Sequence, residues 1–441
     1  MKRLSVLLQL ALFSLAFVPS SGFADTEGAI EITRNAGEPI TLQKALSLAL
    51  TKNPVLEIFS YEQRAQEARA LQSGLLPNPE LEILVEDTAG SGNFSGFGAS
   101  QTTISLSQII ELGGKRSARL HASDLKGKLA GWDYETRRMD VLTDVAKAYT
   151  DVLKAQQKVL LAKSLTGLGE KFLNAVAERV KAGKIASLEK IKAEISLSSS
   201  RVQLAKQERE LNVARRNLST LWGSTQPQFE SALGDFFTIS PVPSLPQLID
   251  RLEGNPDLKR WAVELDQRQA QVDRELAKRI PDLKVLGGFR RIEQTDDNAL
   301  VFGISVPLQL FDRNQGSISE ARHKLAKANA RKRAAEINAT NKLLSAYNTV
   351  DFTHTQVTAI QTKILPSAKK AFNGINEGYR FGKFGYLDVL DSQKIFFEAQ
   401  GQYLSALADH HKAVADLERL TGEPLTPADP PLEKPEGEES P

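Results

Sequence analysis

The sequence predicts a mainly α fold with a small membrane β part, internally duplicated. Three observations carry that expectation. Ala, Leu, Lys, Glu, Arg and Gln dominate, with charged residues at 25% and aromatics at only 7% of 441 residues, a balance that favours long helices over a compact globule. Four short stretches alternate apolar and polar residues with the period of a half-buried strand. Five short motifs recur in the same order about 200 residues apart, a period too long for a solenoid. Asn53-Pro54 returns as Asn255-Pro256, Pro79-Glu80-Leu81 as Pro281-Asp282-Leu283, and Ile104-Ser105-Leu106 as Ile304-Ser305-Val306. Gly183-Lys184 returns as Gly382-Lys383, and Leu221-Trp222-Gly223 as Leu420-Thr421-Gly422.

The chain opens on a basic Met1-Lys2-Arg3, an apolar run from Leu4 to Val18, and Gly22-Phe23-Ala24 before Asp25. That layout predicts a signal peptide over residues 1–24, cleaved after Ala24. The apolar run is shorter than the roughly 20 residues a membrane helix needs. No later stretch is apolar enough to span as a helix, so any crossing must be a barrel. Two units of one layout follow, residues 25–223 and 224–422. Residues 423–441, rich in proline and acids, read as a disordered tail.

In the first unit Thr41 is positioned to cap a helix over Leu42 to Ser73. Leu81, Ile83 and Val85 alternate with Glu80, Glu82 and Glu86 in a strand. A Gly/Ser-rich loop from Gly90 to Ser100 leads to a second strand, where Ile104 and Leu106 alternate with Thr103, Ser105 and Ser107. From about Lys115 to Lys181 there is no proline and little glycine, which predicts roughly 100 Å of unbroken helix. Met139, Leu142, Ala146, Tyr149, Leu153 and Leu160 give a coiled-coil-like seam, with Gln156 in a polar slot. Gly183 marks a tight turn into the returning helix, which ends at Trp222-Gly223. The second unit repeats the pattern. Leu283, Val285 and Phe289 form one strand, Gln294 to Asn298 a turn, and Phe302, Ile304, Val306 and Leu308 the next. Leu343, Tyr347, Val350, Val357 and Ile364 form the seam, with His354 and Gln361 in its polar slots, and Gly382 the tip.

Charge and composition exclude several functions. Lys and Arg total 56 against 54 Asp and Glu, and removing Lys2 and Arg3 with the leader balances the two. A nucleic-acid binder needs a basic excess. With no cysteine there is no disulfide, thiolate metal site or lipid-bearing cysteine. No phosphate-binding loop, zincin motif or nucleophile elbow is present, and Gly113-Gly114-Lys115 lacks the rest of a P-loop. No enzyme activity and no cofactor are expected.

Four strands cannot close a barrel, and membrane barrels begin at about eight strands. An open edge is not tolerated in lipid. Several chains must therefore share one barrel, with the long helices standing as a tube in the periplasm. The competing reading is a periplasmic coiled-coil scaffold without a pore.

From about Thr41 to Gly422 the chain resembles the TolC-type outer membrane factors. The most specific stretch is Gly378 to Gln393, GYRFGKFGYLDVLDSQ, where Tyr379, Gly382, Asp388 and Asp391 occupy the places of the family pattern. Leu365-Pro366 and the Ala-Arg-Arg-Asn-Leu run before Leu221-Trp222-Gly223 are most similar to the CzcC-like branch of heavy-metal efflux. The resemblance implies a homotrimer with four strands per protomer, an outer membrane location with a periplasmic extension, and a passive exit duct. It also implies a periplasmic adaptor (membrane fusion) protein and an inner membrane pump of the RND type as partners. The expected cargo is a divalent heavy-metal cation; a duct for drugs or type I protein secretion is the alternative.

The resemblance also assigns residues. Asp388 and Asp391, three apart on one helical face, would form cation-attracting acidic rings at the periplasmic gate; the plainer reading is two solvated acids favoured by a helix N-terminus. Glu189 lies as far after Gly183 as Asp388 after Gly382, and with Tyr379 it would form the lock of the closed state. Phe384 stands where well-known members carry an arginine, so an aromatic contact would replace a salt bridge. Gly183, Lys184, Gly382 and Lys383 would be the tips that meet the adaptor.

The five histidines include Asp409-His410-His411. Neighbours on a helix point about 100° apart, so one metal cannot easily take all three; the set reads as a solvated helix face. Met139, the single methionine left after processing, offers no relay for soft copper. No metal site is expected.

Overall fold

The computed structural model describes residues 37–239 and 241–423. The expected leader and all of the expected tail except Glu423 lie outside the described residues. Each unit runs helices, strand pair, long helix, returning helix. The first holds β1 (Ile40–Thr41), α1 (Leu42–Lys52), α2 (Pro54–Ser73), β2 (Glu80–Glu86), β3 (Gln101–Ile110), α3 (Lys115–Lys181) and α4 (Ser187–Thr220). After β4 (Ala232–Leu233), the second holds α5 (Leu245–Leu252), α6 (Pro256–Ala277), β5 (Leu283–Ile292), β6 (Asp297–Ser305) and α7 (Gln315–Ala359). A π-helical turn over Ile360–Ile364 leads to α8 (Leu365–Arg380), and α9 (Tyr386–Thr421) returns.

In each unit the first and last of the recurring motifs meet in space. The helix expected over Leu42 to Ser73 breaks at Asn53-Pro54. Thr41 Oγ1 caps α1 from 3.3 Å, and Asn53 Oδ1 caps α2 by accepting from the backbone N–H of Val55 at 2.8 Å. Its Nδ2 donates to the carbonyl of Leu221 at 2.6 Å, tying α2 to the end of α4. In the second unit Asn255 accepts from Asp257 N–H at 2.7 Å and donates to Leu420 C=O at 2.8 Å. One asparagine per unit therefore caps an entering helix and fastens the returning one.

α3 is 67 residues long, about 100 Å. Its seam differs from the expected one. The buried stripe is Val141, Val145, Tyr149, Val152 and Val159, packed with Leu218, Trp222 and Phe229. Tyr149 is shared with the expected set, Leu153 packs half-buried against the same cluster, and Leu160 is 56% exposed. α3 carries two adjacent apolar stripes, and it is packing against α1 and α4 that selects one. Gln156, in its polar slot, bonds both ways to the backbone of Ala232, at 2.6 and 3.0 Å. In the second unit Leu343, Val350 and Val357 are buried as expected, whereas Ile364 is exposed. There the long helix is interrupted by the π turn, because Pro366 has no N–H to continue the ladder.

The four long strands form one antiparallel sheet in the order β2-β3-β5-β6. The register sorts every side chain. One face carries Leu81, Ile83, Ile104, Leu106, Phe289 and Phe302, all exposed, the last at 80%. The other carries Glu82, Thr103, Ser105, Ser107 and Arg290 beside Leu84, Leu286 and Val301, and Arg290 Nε donates to Thr103 Oγ1 at 2.9 Å. β2 and β6 are open edges. β6 ends at Ser305, short of the expected Val306 and Leu308, since Pro307 cannot donate to a ladder.

The two units are fastened by ion pairs along α3 and α9. Arg419 reaches Asp140 at 2.7 Å, Lys412 reaches Asp151 at 2.6 Å, and Lys147 pairs with Asp416; within the second unit Arg419 also reaches Asp257 of α6 at 3.1 Å.

Candidate functional site: the helical tips and the aromatic cluster above them

Both tips fold alike. Gly183 (φ +69°) and Gly382 (φ +76°) take the left-handed conformation, open to glycine at little cost. Lys184 N–H reaches back to Arg179 C=O at 2.9 Å and Lys383 N–H to Gly378 C=O at 2.8 Å, the six-to-one bond of a Schellman cap. The two lysines are exposed at the turns.

Above the tips, α3 and α4 meet α8 and α9 through an aromatic cluster. The rings of Phe172, Tyr379 and Tyr386 stand 6.3 to 6.4 Å apart, each touching the other two. The Arg179 guanidinium lies over the Tyr379 ring, 4.9 Å from its centroid. Val176, Ala193 and Tyr386 are the buried floor. Burial, with Tyr379 and Glu189 beside it, pushes the Tyr386 hydroxyl up to about 12, so it stays neutral.

The expected site residues fall in three places. Tyr379 and Glu189 are brought to the same cluster, both in contact with the surroundings of Tyr386. They do not bond to each other: Tyr379 Oη and one Glu189 oxygen, Oε2, are buried without a hydrogen-bond partner, while Oε1 accepts from Lys192 Nζ at 3.1 Å. Phe384 lies elsewhere. Its ring covers Gly378, where any side chain would collide with it, and lines a shallow groove with Gly374 and Ile375 of α8. Asp388 caps α9, its Oδ2 accepting from Gly385 N–H at 2.8 Å. Asp391 is exposed and borders a groove of about 1240 Å³ between the α3–α4 hairpin and α9, with Leu161, Ile195 and Phe397.

Phe172, Arg179 and Tyr386 complete the cluster and are not among the expected site residues. Phe172 and Arg179 are two helical turns apart on α3, as Tyr379 and Tyr386 are separated by the same number of residues across the tip. That matched spacing was the available signal.

The histidines need a correction. His410 is not on a solvated face but 1% exposed. Its Nδ1 is 3.2 Å from Thr353 Oγ1 and its Nε2 has no partner. Burial and the neighbouring His411 and His354 hold its pKa down to about 4, so it is neutral. His411 Nε2 lies 3.0 Å from Phe236 C=O. Among the described residues no group of three or more His, Cys, Asp or Glu is placed to hold a metal.

With this geometry in hand, the sequence profile of outer membrane efflux proteins matches residues 45–224 and again 248–423. The chain belongs to that family. The cobalt-zinc-cadmium resistance protein CzcC of Cupriavidus metallidurans is 35% identical over 424 residues, covering 96% of this chain and 100% of the relative. The nickel-cobalt-cadmium resistance protein NccC of Alcaligenes xylosoxydans xylosoxydans is 26% identical, covering 73% of this chain and 72% of the relative. Among solved structures, the fold matches CusC, described in a study of transmembrane channel formation, with a TM-score of 0.72 at 18% identity, over 87% of this chain and 92% of that one. It also matches the outer membrane protein VceC of Vibrio cholerae, with a TM-score of 0.70 at 16% identity, over 87% and 96%.

Proposed function

We propose that this family member is the outer membrane exit duct of a tripartite efflux system, passing divalent heavy-metal cations from the periplasm to the outside. The observation that carries the reading is the four-stranded sheet. It has an exposed apolar face, a polar face and two open edges, a combination that lipid admits only when neighbouring chains close the ladder.

The same two edges recur at every level. The sheet runs β2 to β6, the helices beneath it run α2-α3-α6-α7, and the lower helices run α4-α3-α9-α8. One side of the protomer is thus built by β2, α2 and α4 of the first unit, the other by β6, α7 and α8 of the second. Both sides expose large apolar residues: Ile58, Tyr61 and Ile195 on one, Ile337, Phe352 and Phe381 on the other. Two unlike edges joined head to tail generate a ring when the rotation between copies closes. In a homotrimer, the expected assembly, three such sheets exceed the roughly eight strands at which membrane barrels begin.

The cargo assignment rests on the likeness to CzcC and NccC. The duct itself carries no energy source and, among the described residues, no gathered metal ligands, so metal selection falls to an RND-type pump and its periplasmic adaptor. The exposed Gly183-Lys184 and Gly382-Lys383 turns present themselves to that adaptor. Asp391 and, beside its capping bond, Asp388 would face cations entering at the gate. Glu189, Tyr379 and the surrounding cluster would hold the gate shut, with Phe384 bracing α8. A deletion strain scored for growth on cobalt, zinc, cadmium and nickel salts and on a panel of drugs tests the reading. Hypersensitivity to the metals is expected; hypersensitivity confined to the drugs rejects metal cargo.

A further inference from the structure

The four connections between sheet and helices form one hydrogen-bonded junction. Arg116 Nε donates to Gly74 C=O at 2.5 Å, and Arg119 Nε to Ser73 C=O at 2.7 Å. Lys115 Nζ reaches Asp282 at 2.7 Å, Gln309 Nε2 reaches Lys278 C=O at 3.1 Å, and Asn314 Nδ2 reaches Glu275 C=O at 2.8 Å. The junction is therefore held in place, yet it turns large apolar side chains outward. Leu76, Ile280, Leu308, Leu310 and Phe311 are all exposed, Leu308 at 80% and Phe311 at 91%.

Part of this surface continues the apolar face of the sheet. Along β6 that face is Leu300, Phe302 and Ile304, and Val306 and Leu308 keep its two-residue spacing past the last paired residue. Along β3 it is Ile104 and Leu106, and Ile110 and Leu112 keep the spacing. The chain then turns, Leu310 N–H bonding Leu308 C=O at 3.0 Å, and presents Phe311. Beside this collar Arg279 and Arg313 are exposed, and among the described residues neither is paired with a carboxylate; Asp312, between Phe311 and Arg313, accepts from Asn314 N–H at 2.8 Å. A neighbouring protomer could reach only the edge connections, which carry Leu76, Leu308, Leu310, Phe311 and Arg313; Arg279 lies on an inner one. Leu112 and Ile280 belong to the two inner connections and are exposed as well.

We propose that this collar is a phospholipid-binding surface: its apolar side chains enter the helix-side leaflet of the membrane, and Arg279 and Arg313 take the phosphates of anionic headgroups. Apolar bodies with guanidinium tips suit that depth, where the stem lies against acyl chains and the charge reaches the headgroups. The proposal rests on the outer membrane reading, and the test separates the two.

Single tryptophans, Phe311→Trp and Phe302→Trp, are placed in the full chain, reconstituted in phosphatidylcholine vesicles with brominated phosphatidylcholine or brominated phosphatidylglycerol as quencher. The unsubstituted chain, whose three tryptophans lie away from the collar, is the blank. Both probes are expected to be quenched. At position 311 phosphatidylglycerol should quench more strongly, with enrichment of about fivefold per arginine, and Arg279→Gln with Arg313→Gln should abolish that preference without moving the 302 signal. Quenching at 302 but not at 311 overturns the collar and leaves the membrane barrel standing. Equal quenching of 311 by both lipids overturns the headgroup assignment. Silence at both positions overturns the membrane reading itself, and the collar with it.

Discussion

Replacing Tyr379 separates two ways of holding the tips together. A hydrogen-bonded lock between Tyr379 and Glu189 would fail in Tyr379→Phe. In this structure the hydroxyl has no partner, and what holds the ring is Phe172, Tyr386 and Arg179. Tyr379→Phe keeps the ring and is expected to change the contact by less than about 0.5 kcal/mol, since no buried hydrogen bond is lost. Tyr379→Ala removes two aromatic pairs and a cation–π contact, about 2–3 kcal/mol per protomer. If tip separation limits opening, that raises the open fraction roughly 30- to 150-fold for each tip that must part. Arg179→Gln removes the cation alone, about 1 kcal/mol, for a roughly fivefold rise. Single-channel recording in planar bilayers reads the open probability directly. A Phe variant as leaky as the Ala variant would refute the aromatic account and restore a hydroxyl-mediated lock; an unchanged Ala variant would remove Tyr379 from the gate.

Other outcomes follow from the same contacts. Asn255→Ala loses a helix cap and leaves Leu420 C=O without its donor, at a cost of about 2 kcal/mol; chemical denaturation should show a loss of that size, and of similar size in Asn53→Ala, whereas no loss would mean that the returning helices are held elsewhere. His410 has a folded pKa of about 4 against 6.5 for the free side chain. The unfolded chain therefore binds a proton that the folded chain refuses, and stability is full above about pH 6.5 and falls as pH drops toward 4, by up to about 3 kcal/mol. His410→Met should flatten the melting temperature between about pH 7 and 5, and an equally steep decline in that variant would place the titrating group elsewhere. Ile304→Arg puts a charge on the lipid-facing side and should cost about 2–4 kcal/mol per protomer, seen as loss of the protein from the outer membrane fraction; undiminished insertion would contradict the assignment of faces.

The large features were legible because they depend on backbone chemistry. The bounds of α3 follow from the lack of proline between Lys115 and Lys181 and the glycine just beyond. The apolar face follows from the alternation of Leu81, Ile83 and Val85 and of Phe302 and Ile304, although Leu84, Leu286 and Val301 stand on the other face. What stayed hidden depended on packing across distant segments. Asn53-Pro54 was visible, but its meaning as a break appears only with Leu221 beside it. The choice between two apolar stripes on α3 is made by neighbouring helices, not by spacing. His410 looks solvent-facing in a polar run and is buried because α7 packs on that side of α9, with Thr353 Oγ1 3.2 Å from its Nδ1 and the His354 ring 5.8 Å from its own. The aromatic cluster joins residues from both units, about 200 positions apart, which no local pattern connects.

The account turns on the open edges of the sheet meeting those of other copies. The 441-residue chain has a mass of 48.4 kDa. Native mass measurement of the detergent-extracted protein should find three chains together, and the same preparation should conduct ions across a planar bilayer. A stable single chain that passes no current would contradict it.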